Sequence, residues 1–317
     1  MLRFLGRANI GSIYCPPMSA PALVDPRALA RVLDRLGRAE AAPWLHQEIA
    51  RRMAQRLPAI RKPPERWLDW WGFLGGSAEA VKAVLPAAQR SVAEPTEVML
   101  QRSRQALRKP WWALHRRDGA ALAVHESEVP PASAPMLWAN MVLHACPDPA
   151  AMLARWHAAM AADGFLMFST LGPDTLRELR ALYAEAGWPA PHLPFTDMHD
   201  IGDQLVHGGF ADPVMDQEAV NLTWSSPHAL LAELRTLGGH LSSQRFAGLR
   251  TPRWHAQLVA ALGRRADAQG RIAMSFEIVY GHAFKAAPRP VAGAPVSVPL
   301  SELRASLAAR RGKPGAP

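Results

Sequence analysis

Cysteine is almost missing from this chain. Cys15 and Cys146 are its only two, too far apart to suggest a disulfide framework or a metal-ligand spacing. Such usage points to a reducing, cytoplasmic setting and to no bound metal. Long apolar runs are also lacking, so no segment reads as a membrane span. The basic, acid-poor stretch from Met1 to Pro17 has neither the apolar region nor the cleavage site of a secretory leader, and Met18 is an alternative start. There is no internal repeat, no dense Lys/Arg block, no zinc-finger spacing and no RNP-type strand, which argues against a nucleic-acid partner. No hydrolase, kinase or metal signature is present either.

What is present is globular. The 317 residues are 49% hydrophobic and 20% charged, enough for one large domain with appended segments. The net charge of +9 would attract an acidic partner, either nucleic acid or an acidic carrier protein. The scatter of arginine along the chain points first to an arginine-rich proteome.

The most ordered pattern runs from Ala162 to Arg180. Asp163-Gly164 is a turn, and Phe165 to Thr170 is an apolar run without alternation, as in a strand covered on both faces. Leu171 to Asp174 breaks that strand, and a charged amphipathic helix starts at Thr175. Before it, Pro149 to Ala162 reads as a helix and Met136 to Leu143 as a buried strand carrying Asn140. Upstream, Arg66 begins a strand that runs into a glycine-bearing turn (Gly72, Gly75, Gly76), followed by a helix from Ser77 to Leu85. Arg90 to Ala93 is the next strand, Thr96 to Leu107 a helix, and Ala120 to Val124 a third strand. This βαβ order predicts an α/β, doubly wound, mostly parallel sheet. Ligands of such sheets lie at the carboxyl ends of the strands, which puts Thr170 and Asp174 at the mouth of a site.

Two acids share that placement. Glu94 ends the second strand about 20 residues beyond the glycine turn, where an acid can bind a ribose diol. Glu126 ends the third, where a carboxylate can meet an adenine amino group. Surface acids in strand-to-helix loops are the alternative reading for both.

Ahead of the sheet, Asp25-Pro26 caps a helix from Arg27 to Leu36. Trp44 to Leu57 carries Leu45, Ile49, Met53 and Leu57 on one face, with Arg51, Arg52 and Arg56 on a second face expected to be solvated. Beyond the core pattern, Asp197 to Gly208 reads as a helix. Asp212 to Trp224 reads as a strand bulged at Pro213. Ser226 to Leu237 and Pro252 to Ala266 read as helices around a polar loop, and Met274 to Phe284 as an antiparallel last strand. His199, His240, His255 and His282 are scattered here and read as hydrogen-bonded rather than catalytic.

These motifs carry a resemblance. PERWLD from Pro64 to Asp69, with the strand-ending acids, resembles the class I S-adenosylmethionine-dependent methyltransferases. FSTLGPDTLREL from Phe168 to Leu179 is similar to the malonyl-acyl-carrier-protein O-methyltransferases of biotin synthesis. So are DMHDIGD from Asp197, GFADPVMD from Gly209 and FEIVYGHA from Phe276. The resemblance implies a Rossmann-like fold and S-adenosylmethionine as cofactor, held by Asp69, Gly72, Gly75, Gly76, Glu94, Glu126 and Asn140. It further implies an acidic acyl carrier protein as partner, and a helical lid admitting the acyl chain. Thr170, Asp174, Arg245 and Arg250 are the substrate candidates, the arginines as carboxylate grips. Carboxylate methylation needs alignment more than acid-base catalysis, which agrees with the absence of any nucleophile-base pair.

The family's first motif carries three glycines, and two of those positions here are Trp71 and Phe73. A bulky side chain there takes space the ligand needs, unless the turn is rebuilt around Gly72, Gly75 and Gly76. The alternative function is therefore a non-catalytic, methyltransferase-like interaction module. The expected organisation is a flexible segment 1–24, a helical arm 25–62, a methyltransferase-like domain 63–285 with a lid about 225–270, and a Pro/Ala-rich tail 286–317.

Overall fold

A computed structural model describes residues 24–60, 62–108, 122–246 and 248–287. The first 23 residues and all but the first two of the expected tail lie outside the described residues, as does the start of the expected third strand.

The chain opens with α1 (Pro26–Gly37), built as its sequence suggests. The Asp25 carboxylate accepts from the N–H groups of Arg27 and Ala28, with Pro26 at the first helical position. Its far end is closed from a distance, where Arg102 donates to the carbonyls of Gly37, Ala39 and Glu40. Next comes α2 (Trp44–Ala54), shorter than its apolar periodicity predicts. Pro58, which has no N–H to continue the ladder, turns Leu57–Ala59 into a 3₁₀ turn. The basic face of α2, expected to be solvated, is paired instead. Arg52 meets Glu218 at 3.2 Å, Arg56 meets Asp216 at 2.8 Å, and the Arg56 guanidinium lies 3.8 Å over the Tyr280 ring. The arm is thus held to the far edge of the sheet by charge as well as by Leu45, Ile49 and Met53, which are fully buried.

Among the described residues seven strands make one sheet: β1 (Arg66–Trp70), β2 (Gln89–Glu94), β3 (Ala123–His125), β4 (Ala134–Asn140), β5 (Met160–Leu171), β6 (Ala211–Trp224) and β7 (Ile272–Phe284). Their order is β3-β2-β1-β4-β5-β7-β6, parallel from β3 through β5, with β7 antiparallel to both its neighbours. This is the Rossmann-like arrangement anticipated, including the antiparallel last strand. The expected irregularity at Pro213 is present, where the β6–β7 register shifts between Ala211 and Val214 and Asp212 takes φ 48°.

Along β1, alternate residues face opposite cores. Leu68 and Trp70 join the cluster under α1, α5 (Glu97–Leu107), α6 (Pro149–Ala159) and α8 (Met198–His207). Trp67 joins the other, under α2, α4 (Ala78–Val84), α7 (Arg177–Glu185), α9 (Pro227–Thr236) and α10 (Pro252–Gly263). Trp70 packs edge-on against Trp156 of α6 at 6.4 Å, so this aromatic belongs to the core. The ends of α6 and β4, like that of α2, differ from the sequence reading, and α10 stops at Gly263 rather than Ala266. Helix α6 stops at Ala159 because β5 pairs with Ala134 as early as Met160 and then bends through Asp163 at φ 59°. Strand β4 ends at Asn140, since Met141 turns to φ 57°.

Candidate functional site

The strand order reverses between β1 and β4, so the crevice at their carboxyl ends is where this topology places a ligand. Both ends are strained. Trp71, directly after β1, has φ 55° and ψ 45°, and Met141, directly after β4, has φ 57°. A non-glycine residue in this left-handed region costs about 1–2 kcal/mol. Trp71 is fixed there because its N–H donates to Ala93 at 2.7 Å while its carbonyl accepts from Gly75 at 2.9 Å. A four-residue helical turn, α3 (Gly72–Gly75), follows.

A cavity of about 770 Å³ opens from this crevice. Trp71, Leu74, Met141 and His144 form its floor, Leu176 and Leu179 one wall, and Leu231 and Leu258 of α9 and α10 its roof. Helix α1 closes the remaining side. Arg35 donates to the Gly238 carbonyl at 2.5 Å, Asp25 N–H to Leu241 at 2.7 Å, and Arg245 pairs with the Asp25 carboxylate at 2.6 Å. Burial holds His144 neutral, with its pKa down at about 3, and His46 likewise at about 4. These two imidazoles are therefore uncharged at physiological pH. A second cleft, about 1070 Å³, lies at the amino ends of the strands between Arg66, Gly164, His282 and Phe284, away from the crevice.

The sequence-derived candidates gather at the crevice, but few of them face open space. Asp69 is fully buried, its Oδ2 held by Arg90 Nε at 2.9 Å and Nη2 at 2.7 Å. Burial raises its pKa, against the attraction of Arg90. That ion pair crowds Gly72, where a Cβ would come within 2.7 Å of Arg90 and 2.8 Å of Asp69. Gly75 gives its carbonyl to Asn140, and Gly76, at φ 63°, lies under Gln47 and Ala42. Glu94 is fully buried, and its Oε1 accepts from Phe73 N–H at 2.8 Å and from the Ser103 hydroxyl at 2.6 Å. Desolvation lifts its pKa to about 7, opposed by those two hydrogen bonds. Glu126 accepts from the Trp71 indole N–H at 2.6 Å and meets Arg155 at 3.3 Å. Asn140 donates to the carbonyls of His46 at 2.7 Å and Gly75 at 2.6 Å, and accepts from Ser169 at 2.7 Å.

Among the substrate candidates, Arg245 lines the cavity. Arg250 stacks on Phe246 and Trp254 instead, at 4.1 and 4.4 Å. Thr170 is buried, 3.5 Å from His144 Nδ1. Asp174 is exposed, with its N–H donated to Glu277, and its neighbour Thr175 reaches the cavity in its place. Of the scattered histidines, His240 and His255 reach the cavity, His282 the other cleft, and His199 pairs with Asp197. The sequence reading missed His46 and His144. His144 had a signal, four residues past Asn140 at a strand's carboxyl end; His46 had none, since a helical arm gives no hint of the crevice it closes.

S-adenosylmethionine, which the resemblance implies, requires a hollow beside the two glutamates. Here the Trp71 indole spans from β1 to Glu126, the Phe73 backbone N–H takes Glu94 Oε1, and the cavity reaches neither acid. In this arrangement the residues do not fit the cofactor. Among the described residues no cluster suited to a metal ion occurs, and no helix is long and apolar enough to cross a membrane.

No protein-family model matches the chain. It is 38% identical over 258 residues to the malonyl-[acyl-carrier protein] O-methyltransferase of Laribacter hongkongensis, covering 79% of this chain and 86% of that relative. It is 34% identical over 274 residues to the enzyme of the same name from Gallionella capsiferriformans, covering 84% and 93%. Among solved structures it resembles the YcgJ protein of Bacillus subtilis, with a TM-score of 0.48, 11% identity, and coverage of 74% and 98%.

Proposed function

The chain belongs to the malonyl-[acyl-carrier protein] O-methyltransferase family, and we propose that it methylates the free carboxylate of a malonyl thioester on acyl carrier protein in biotin synthesis, with S-adenosylmethionine as methyl donor. The observation that carries this reading is the apolar cavity at the carboxyl ends of β1 and β4, large enough for an acyl thioester and roofed by α9 and α10. Segment 225–270 then acts as the lid.

The acceptor side asks little acid-base chemistry of the protein. A malonyl carboxylate is already the nucleophile, so neutral His46 and His144 serve as uncharged walls rather than bases. Arg245 is the cation to grip the carboxylate, exchanging Asp25 for the substrate acid in a charge-assisted pair. Closed over a bound acyl chain, the largely apolar lining would exclude water, which favours transfer to the bound carboxylate. The chain's net charge of +9 favours docking of an acidic carrier protein, and its two widely spaced cysteines support a cytoplasmic setting. With the Trp71 indole on Glu126 and the Phe73 N–H on Glu94, no step is assigned to the cofactor's own atoms.

Incubation of purified protein with malonyl-acyl carrier protein and labelled S-adenosylmethionine tests the proposal. A gain of one methyl group by the carrier, removed by esterase, is expected, as is growth of a biotin auxotroph lacking its own methyltransferase. An unmodified carrier together with failed complementation would overturn it.

A further inference from the structure

We infer that Trp71 stands as an internal ligand in the place of the donor's adenosyl group, and that donor binding requires the indole to leave Glu126. The inference rests on the donor named above.

Three observations meet here. The indole is a planar aromatic donor whose N–H reaches Glu126 Oε2 at 2.6 Å, the bond an adenine amino group would make with that carboxylate. Polar groups in the same crevice, near the ends of β1 and β2, are left incomplete. Glu94 Oε2 and Asp69 Oδ1 are both buried and, among the described residues, without a partner. Filling a redundant pocket with rings would leave no reason to keep two acids with unmet acceptors. Ribose hydroxyls and an ammonium group are the donors that such oxygens await. Finally, the indole has somewhere to go. Trp71 borders the cavity of about 770 Å³, and its backbone sits in a left-handed conformation that other residues must hold. The site is closed rather than dismantled.

S-adenosylhomocysteine, which carries the same adenosyl group, is the probe. Calorimetry on the full chain should show Trp71→Gly binding it at least ten-fold more tightly than wild type, with near-ultraviolet circular dichroism confirming the fold. In protein labelled with 5-fluorotryptophan, the Trp71 resonance, assigned by its loss in Trp71→Phe, should move on titration. Equal affinities with an unmoved resonance would overturn the inference, as would a folded Trp71→Gly that fails to bind at millimolar concentration. Should Trp71→Gly not fold, the fluorine titration alone decides: a moved resonance supports displacement, and an unmoved one at millimolar probe overturns it. The carrier-protein assay fails separately. Displacement of Trp71 without ester formation would sink the proposed function and leave this inference standing.

Discussion

Asp69 and Arg90 sit on neighbouring parallel strands and join through an Nε hydrogen bond at 2.9 Å and an Nη2 ion-pair contact at 2.7 Å to the same carboxylate oxygen, with the acid fully buried and the arginine partly so. Arg90 also lies 5.7 Å over the Trp67 ring, so its position is fixed by packing as well as by charge. Removing the cation strands a buried carboxylate, a change that costs about 3–5 kcal/mol. Arg90→Met should therefore lower unfolding free energy by about that amount in urea titrations. Burial already raises the Asp69 pKa and Arg90 opposes this, so the loss should deepen as pH rises. A loss below about 1 kcal/mol would show that Asp69 does not depend on this partner.

Asn140 ties three elements together: α2 through the His46 carbonyl, the turn after β1 through the Gly75 carbonyl, and β5 through Ser169. Asn140→Ala leaves two buried carbonyls without this donor and a hydroxyl without its acceptor, for a loss of about 3 kcal/mol. Asn140→Asp keeps the shape but turns an acceptor toward both carbonyls, and should be at least as damaging. Denaturant melts of the two variants check this. An aspartate variant as stable as wild type would contradict the donor role.

Glu94 sets a pH dependence whose sign is opposite to that of an ion-paired acid with a depressed pKa. Its folded pKa, lifted to about 7 by desolvation, stands above the ordinary 4.5. Between those values the folded state binds more protons than the unfolded one, so stability is full below the unfolded pKa and declines as pH rises through the folded one. The decline amounts to about 3 kcal/mol. Asp69 works in the same direction, so the readout is the difference between wild type and Glu94→Gln across pH 5 to 8. The variant should show the flatter curve, and parallel curves would mean that Glu94 is ionised in the fold.

The sheet was legible because apolar runs such as Phe165–Thr170 and punctuation such as Asp163-Gly164 are local signals, and Pro213 even marked its bulge. The acids at strand ends were legible for the same reason. Their partners were not. Nothing near Glu94 announces that Phe73 N–H and Ser103 take its Oε1, and nothing near Arg52 or Arg56 announces Glu218 and Asp216, more than 150 residues away. The three aromatics after Asp69 looked alike in sequence, yet the backbone sends them to three places. Trp70 packs into the core on Trp156, Trp71 reaches Glu126, and Phe73 lies under the Arg102 guanidinium at 4.2 Å. Alternation along the strand accounts for Trp70, whereas the left-handed turn at Trp71, imposed by Ala93 and Gly75, has no signature of its own.

Arg245 and Arg250 looked equivalent as carboxylate grips and should behave differently. Arg245 faces the cavity with Asp25 as an exchangeable partner, while Arg250 is sandwiched between Phe246 and Trp254. A charge-assisted bond to a substrate carboxylate is worth about 1.5–3 kcal/mol, or at least ten-fold in affinity. Arg245→Gln should thus weaken binding of malonyl-pantetheine about ten-fold by calorimetry. Acetyl-pantetheine, which lacks the free carboxylate, should bind equally to both forms. Arg250→Gln should leave the preference for malonyl over acetyl intact, because its stacking partners lie on the loop and on α10 rather than on the acceptor. If Arg245→Gln weakens both thioesters alike, its part is to brace α1 against the loop rather than to grip the acceptor, and the carboxylate must be held elsewhere in the cavity.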